Sequence, residues 1–297
     1  MATRLGDGVY LRALLEGLLV TFLWSTSYVL MKIGLRTLPP LTLAAYRYVI
    51  ASAVLMMVAL SRDRGLLVKD KESLPKLLVL GISGYSVAQG LQCVALFYLP
   101  AVTVTFLLNF TPVMVLLLGV VFLREFPLPL QLAGMALVLL GAYLFFLAPV
   151  SGAELTGIMV TLLSGLGWAV YMTLSRQFLR GERFRTLNLT ALTMFFGSVV
   201  LLFSALIVDR PVQMSLSEWA IILWLSLVNT ALAFVLWNHA LETVRAFELS
   251  VLQNTMLIQI GVLAWSFLGE ELTSMKLIAM VMVFIGVLIV QTVKKPQ

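Results

Sequence analysis

The sequence has few charged residues, one cysteine and one histidine, and each scarcity excludes a class of protein. Only 11% of the 297 residues are charged, whereas soluble chains carry about 25%. Cys93 has no second thiol with which to form an intramolecular disulfide. His239 has no Cys, Asp or Glu neighbour at the spacing of metal ligands. We therefore expect neither a soluble domain nor a disulfide scaffold, and neither a metal nor a cofactor.

Apolar residues make up 61% of the chain and come in long blocks. About 20 apolar residues cross a bilayer core of roughly 30 Å, and a helix pairs its own backbone groups inside lipid. The first block has no cleavage site, so we interpret it as a retained helix. The predicted spans are 12–35, 40–60, 76–98, 101–122, 129–149, 155–178, 186–208, 217–240, 247–268 and 272–293. The predicted fold is an all-α membrane protein with ten transmembrane helices.

The basic residues predict the orientation of these helices. With the N-terminus in the cytoplasm, fifteen Lys and Arg residues lie on the cytoplasmic side and three on the other, Arg36, Arg210 and Lys276. Basic residues collect in cytoplasmic loops, so we expect both termini in the cytoplasm and the chain in the plasma (inner) membrane. The same rule explains the net charge of +6 without a nucleic-acid partner.

An internal repeat is visible when the sequence is shifted by 145 residues. Comparing Leu91–Gly141 with Leu236–Gly286 gives 14 identities in 51 positions, against roughly four expected from so apolar a composition. Asn109 matches Asn254, and Glu125 matches Glu270. Five spans in each half reverse the second half relative to the first, which is the inverted repeat of many secondary transporters. The predicted units are residues 1–150 and 151–297, each a five-helix repeat.

Several short motifs and their order resemble the EamA family of the drug/metabolite transporter superfamily. The motifs are Leu23-Trp24-Ser25, Pro40 followed by Arg47, Asn109-Phe110-Thr111-Pro112, Phe122-Leu123-Arg124-Glu125 with Gly134 and Gly141, and Phe267-Leu268-Gly269-Glu270 with Gly286. The resemblance covers nearly the whole chain. It implies a ten-helix inverted-repeat exporter or importer of metabolites, without indicating which metabolite.

Polar and aromatic side chains inside the spans are the candidate site residues, because polar groups in a bilayer usually face the interior of the bundle. We expect substrate binding by Trp24, Tyr28, Tyr85, Gln89, Gln92, Asn109, Trp168, Tyr171, Asn229, Trp237 and Asn254. Two alternatives stay open. Asn109 and Asn254 are also compatible with a structural pair between the halves, and Trp24, Trp168 and Tyr171 with an interfacial belt.

Two cations lie inside spans. Either cation could extend to the surface, and Lys32 more readily because it lies near the end of its span. Arg47 lies several residues into its span and could instead pair with a helix C-terminus or a backbone carbonyl. A vestibule lined by cations would favour anionic or zwitterionic solutes. His239, near the end of a span, is expected to be a hydrogen-bonded interfacial residue.

No carboxylate lies at the centre of a span, and Glu16 comes nearest. A proton antiporter for cationic drugs needs a deep carboxylate, so that class is disfavoured. The hypothesis is a facilitative or exporting secondary transporter of neutral or zwitterionic metabolites such as amino acids, acting as a monomer in contact with membrane lipids. A flippase for a lipid-linked substrate and a proton-coupled exporter remain alternatives. An enzyme is not predicted, because no His-Glu cluster, Gly-x-Ser-x-Gly motif or paired central aspartates occur.

Overall fold

A computed structural model of the chain describes residues 2–62, 73–118, 120, 126–145, 152–180, 185–271 and 273–292. These residues are almost entirely helical, and no β-strand occurs among them. The first half contains α1 (Ala2–Gly34), α2 (Pro40–Arg62), α3 (Ser73–Gly81), α4 (Leu91–Tyr98), α5 (Ala101–Leu108), α6 (Thr111–Leu118) and α7 (Pro129–Phe145). The second half contains α8 (Gly152–Arg180), α9 (Thr186–Val208), α10 (Leu216–Ser226), α11 (Ala233–Thr243), α12 (Ala246–Gln253), α13 (Met256–Leu268) and α14 (Ser274–Thr292). Two π-helical segments, Ile82–Gly90 and Leu227–Leu232, join α3 to α4 and α10 to α11.

Six helices are long and apolar enough to cross a membrane. They are Gly8–Gly34, Pro40–Ser61, Ser73–Tyr98, Gly152–Leu179, Thr186–Val208 and Leu216–Thr243. Shorter apolar helices occupy Pro129–Phe145, Met256–Leu268 and Ser274–Gly286. The all-helical membrane architecture is therefore confirmed. Helical segments lie at all ten predicted positions, but spans 101–122 and 247–268 are interrupted, and the number of crossings stays a prediction.

Proline marks several helix starts, as expected from the sequence. α2 and α7 begin on Pro40 and Pro129, and Pro100 immediately precedes α5. The first turn of a helix has no intrahelical acceptor for its N–H groups, so proline costs little there. α1 begins at Ala2, well before the predicted start at residue 12, because a helix can continue beyond the apolar block that crosses the lipid.

The two halves repeat the same irregularities at the spacing found in the sequence. The first π-helical segment starts at Ile82 and the second at Leu227. A turn at Asn109 separates α5 from α6, and a turn at Asn254 separates α12 from α13. Both pairs of positions are 145 residues apart. The repeat seen as scattered identities is therefore also a repeat of local backbone geometry.

Equivalent helices of the two halves pack against each other. α2 packs on α9 and α7 on α14, while α1 contacts α11 and α13 just as α8 contacts α4 and α6. A Cβ added to Gly141 would lie 2.9 Å from the carbonyl oxygen of Ala279, and one added to Gly286 would lie 2.6 Å from that of Gly134. The backbones of α7 and α14 thus approach more closely than a larger residue permits.

Two carboxylates of the second half cap helices of the first half. The Glu270 carboxylate accepts the backbone N–H groups of Ala101 and Val102 at the start of α5, at 2.8 and 3.1 Å. Asp209 Oδ2 accepts the backbone N–H and the hydroxyl of Thr42 in the first turn of α2, at 2.6 and 2.8 Å. Helix N-termini carry free N–H groups and a partial positive charge, so these contacts tie the two halves together.

Large apolar side chains cover the outside of the bundle. Leu206, Ile207 and Leu216 are 71%, 81% and 89% exposed. So much exposed apolar surface is rare on soluble proteins, whereas it is the expected outer surface of a helical bundle in lipid. The chain is a multi-pass membrane protein.

Candidate functional site

A cavity lies between the two halves, with walls from α1, α2, the first π-helical segment, α4, α5, α6, α8, α12 and α13. Its lining residues are Trp24, Ser27, Tyr28, Arg47, Ala88, Gln89, Gln92, Leu108, Thr111, Ser164, Trp168, Gln253 and Met256. The volume of the cavity that water can occupy is about 30 Å³, enough for about two water molecules. A metabolite therefore fits only when the walls move apart.

Two equivalent tryptophans meet in this wall. Trp24 of α1 and Trp168 of α8 meet edge to face, with ring centroids 5.5 Å apart. Trp168 Nε1 donates to Gln253 Oε1 at 2.7 Å, whereas Trp24 Nε1 is buried and has no described hydrogen-bond partner. The tryptophans lie inside the bundle, so the alternative of an interfacial belt is wrong for both.

The remaining predicted residues of the wall are a tyrosine and two amides. Tyr28 and Gln92 are buried, and Gln89 is half-buried on the first π-helical segment. A π-helical turn changes which side chains share a face, and such turns are frequent at functional sites. Together with the two tryptophans, these three residues make five of the eleven predicted site residues that line the cavity.

Three predicted aromatic residues lie behind the wall. Tyr171 stacks on Trp168 at 5.0 Å, and its hydroxyl lies 2.8 Å from that of Tyr85 and 3.1 Å from Asn238 Oδ1. Trp237 is fully buried 4.9 Å from Trp24. These side chains fix the positions of the two wall tryptophans without lining the cavity.

The three predicted asparagines also lie outside the cavity wall. Asn229 is on the second π-helical segment, where its amide nitrogen donates to the carbonyl of Leu23 and to Thr26 Oγ1, the latter at 3.0 Å. Asn109 and Asn254 are buried at the two helix breaks, and neither amide nitrogen has a described partner. The two amides therefore do not bond to each other, and the alternative of a structural pair is wrong.

Phe234, at the centre of the aromatic group, was not among the predicted site residues. Its ring lies 5.3 Å from Trp24, 5.8 Å from Trp168 and 5.0 Å from Tyr85. It is one helical turn from Thr230 and Trp237, so the buried face of that span contained the signal. A phenylalanine in an apolar block is so common that periodicity alone does not distinguish it from core.

Arg47 is the cation of the cavity wall and is only 3% exposed. Its Nε donates to Thr230 Oγ1 at 2.6 Å, and Nη2 donates to the backbone carbonyl of Asn229 at 3.2 Å. Nη1 lies 3.1 Å from the sulfur of Met31. The predicted alternative of a carbonyl partner is confirmed. The carbonyl belongs to the second π-helical segment, so Arg47 joins α2 to the other half.

The other titratable residues singled out by the sequence lie away from the cavity. Lys32 lines a separate opening together with Arg36 and Glu270. His239 is half-exposed, and its Nδ1 lies 2.6 Å from Glu16 Oε2. The histidine is thus hydrogen-bonded, as predicted. Among the described residues, no group of three His, Cys, Asp or Glu side chains is placed to hold a metal ion.

The described part of the cavity wall combines aromatic faces, amide and hydroxyl groups and one guanidinium, and it contains no carboxylate. Such a wall offers a small polar solute hydrogen bonds and apolar contact together. These side chains are suited to binding such a solute reversibly.

Comparisons with known proteins agree with this arrangement. The chain is 30% identical over 259 residues to an uncharacterized transporter of Archaeoglobus fulgidus, covering 85% of this chain and 88% of the relative. It is 28% identical over 291 residues to a Salmonella typhimurium protein named a probable amino-acid metabolite efflux pump, covering 92% of each. A crystal structure with 20% identity superposes with a TM-score of 0.77 over 94% of this chain and 97% of the other, which shows the shared fold. The sequence model of the EamA-like transporter family matches residues 11–147 and again 155–292. The chain thus has the two-repeat membrane fold and belongs to the EamA-like transporter family.

Proposed function

We propose that this transporter carries small neutral or zwitterionic metabolites, with amino acids as the substrate class. The observation that carries the proposal is the wall of the cavity between α1 and α8. Trp24 and Trp168 offer apolar contact, Gln89 and Gln92 offer amide hydrogen bonds, and no described carboxylate is present to attract a cationic drug. A zwitterion with a small side chain matches that combination.

Alternating access is the proposed mechanism. The cavity holds about two water molecules as it stands, so binding and release require the halves to separate on one side at a time. The turns at Asn109 and Asn254 divide one helix of each half into two segments. Movement of these segments about equivalent turns would open the cavity to either side.

Further features of the proposal follow from the sequence. Ten helices in two inverted repeats, residues 1–150 and 151–297, would place both termini in the cytoplasm of a cell with the protein in its inner membrane. Export or facilitated transport accords with the absence of a deep carboxylate in the sequence. The protein would act as a monomer. The name of the Salmonella relative supports amino acids as cargo.

The test is a thermal-unfolding screen of the detergent-purified protein against the twenty amino acids and against lipids, followed by uptake into proteoliposomes. We expect some amino acids to raise the unfolding temperature, since a ligand that binds only the folded state stabilises it. Those amino acids should then exchange across the membrane in a counterflow assay. Stabilisation by lipid alone would favour a flippase instead.

Variants locate the site. Trp168→Ala should abolish counterflow, because it removes one wall of the cavity, whereas Trp265→Ala should leave it unchanged, because that side chain is 61% exposed on the outer surface. Normal transport by Trp168→Ala contradicts the assigned site. Uptake that requires an imposed proton gradient, with stoichiometric acidification of the lumen, contradicts facilitated transport.

A further inference from the structure

Arg47 combines burial with a place on the cavity wall. It lies in α2, within the apolar span Pro40–Ser61, and only 3% of it is exposed. A cation inside a membrane span is costly, and such residues usually pair with an opposite charge or a backbone carbonyl, or line a pathway. Arg47 donates to one backbone carbonyl and is also one of the residues that line the cavity.

No carboxylate of the described residues pairs with Arg47. Its described hydrogen-bonding contacts are with a hydroxyl, a backbone carbonyl and a thioether sulfur, and its guanidinium lies over the Tyr48 ring, 5.2 Å from the centroid; all four partners are neutral. A guanidinium has five N–H groups, so two remain beyond these contacts. A buried charge without a counter-charge is unfavourable, and the cavity is the side from which a counter-charge can arrive.

Other unpaired polar groups share the same wall. Trp24 Nε1 and Thr111 Oγ1 are buried, line the cavity and have no described hydrogen-bond partner. Buried polar groups are nearly always hydrogen-bonded. The indole N–H and the guanidinium on the same wall can only donate, and the threonine hydroxyl can both donate and accept, so a ligand with acceptor oxygens would satisfy all three.

A purely structural role does not account for a guanidinium. The carbonyl of Asn229, in the second π-helical segment, accepts from Arg47, and the carbonyl of Ala88, in the first, accepts from the Ser164 hydroxyl at 2.6 Å. A neutral hydroxyl is therefore enough to satisfy a π-helical carbonyl. The positive charge and the two further N–H groups of Arg47 exceed that need.

We propose that Arg47 binds the carboxylate of the transported solute through its remaining N–H groups, with the Trp24 indole N–H as a further donor. Guanidinium binds carboxylate through paired, charge-assisted hydrogen bonds. This inference rests on the proposed function and narrows it, because a solute must then present a carboxylate to the first half. Its amino group and side chain are left to the rest of the wall.

The test compares matched ligands that differ only in the carboxylate. The dissociation constants of amino acids and 2-oxo acids, and of their carboxamides, are measured on the wild-type protein, Arg47→Gln, Arg47→Lys and Arg176→Lys. Arg176 is a second buried arginine, which bonds to backbone carbonyls at the end of α11 and lies off the cavity wall. Its variant controls for the loss of a buried guanidinium.

The wild type should bind carboxylates about 10-fold or more tightly than carboxamides, since charge-assisted hydrogen bonds are the strong ones. Arg47→Gln should remove this preference by weakening carboxylate binding alone, Arg47→Lys should retain part of it, and Arg176→Lys should leave it intact. Equal affinities for both ligand types in the wild type overturn the inference, even if no variant folds. Equal loss for both types in Arg47→Gln also overturns it. If 2-oxo acids bind in an Arg47-dependent manner but amino acids do not bind, the contact between Arg47 and a carboxylate is supported and the proposed function is contradicted.

Discussion

The first tryptophan of each half shows how the two halves differ. Trp24 and Trp168 occupy equivalent helices and touch each other in the same cavity wall. Trp168 is held by a hydrogen bond to Gln253, whereas the Trp24 N–H has no described partner. The same side chain is thus fixed in one half and available to a ligand in the other.

The helices that follow differ in charge as well. α2 places Arg47 on the cavity wall, but α9, which packs against it, contains no charged residue. The helical frame, meaning the helix bounds, the helix breaks and the glycines Gly141 and Gly286, repeats in the two halves. The hydrogen-bond donors that a solute would meet come mainly from the first half. Substitutions in the frame should therefore act alike in both halves, whereas substitutions of the lining side chains should not.

The largest of these effects is expected where the equivalent helices α7 and α14 approach each other closely. Gly141→Val and Gly286→Val should each destabilise the protein by about 3 kcal/mol, because the added side chains meet backbone atoms that cannot move aside. The free energy of unfolding, measured in detergent, checks this. Gly152→Val is the matched control, since nothing lies within 4 Å of a Cβ there. A loss in one half only would contradict the equivalence of the two helices.

The two tryptophans should respond differently to the same substitution. Trp168→Phe keeps most of the ring but loses the hydrogen bond to Gln253, so we expect a loss of about 1–2 kcal/mol in unfolding free energy. Trp24→Phe loses no described hydrogen bond and should cost less stability. It should instead reduce the stabilisation given by a bound solute. Thermal unfolding with and without ligand separates the two effects. If the two variants behave identically, the proposed difference between Trp24 and Trp168 is wrong.

The cap between the halves should have a smaller effect. Glu270→Gln leaves one acceptor oxygen and no charge at the start of α5, which should cost about 1 kcal/mol of stability. Glu271→Gln is the control, because that exposed neighbour has no described side-chain hydrogen bond. Chemical unfolding in detergent measures both. A cap that contributes nothing would leave the two variants equal.

The asparagines at the helix breaks should matter least to stability. Their amide nitrogens have no described partners, so Asn109→Ala and Asn254→Ala should change the unfolding free energy by no more than about 0.5 kcal/mol. Thermal unfolding of both variants checks the expectation. A large loss in either one would show a hydrogen bond made in another conformation.

The sequence predicted the frame well because the frame depends on patterns that a bilayer imposes. Apolar block length located the helices, and the 145-residue match anticipated that irregularities would recur. The match did not show that Asn109 and Asn254 mark breaks, since only the first is followed by a proline, Pro112. A helix break without proline or glycine depends on tertiary packing.

The site was only partly predictable. Wall residues such as Trp24, Trp168 and Gln89 were found because polar and aromatic side chains in lipid are conspicuous. Tyr171 and Trp237 have the same signature, but they support the wall from behind. Which of two neighbouring helical positions faces a cavity depends on the rotation of each helix, and the π-helical segments change that rotation locally.

The aromatic group gives the protein an optical property. Of its six tryptophans, Trp24 and Trp168 line the cavity and Trp237 contacts them from behind, while Trp219, Trp224 and Trp265 are exposed on the outside. Separation of the halves would hydrate the two lining tryptophans and shift their emission to longer wavelength, while the surroundings of the outer three would not change. The opening of the cavity would thus be visible in intrinsic fluorescence, without any attached dye.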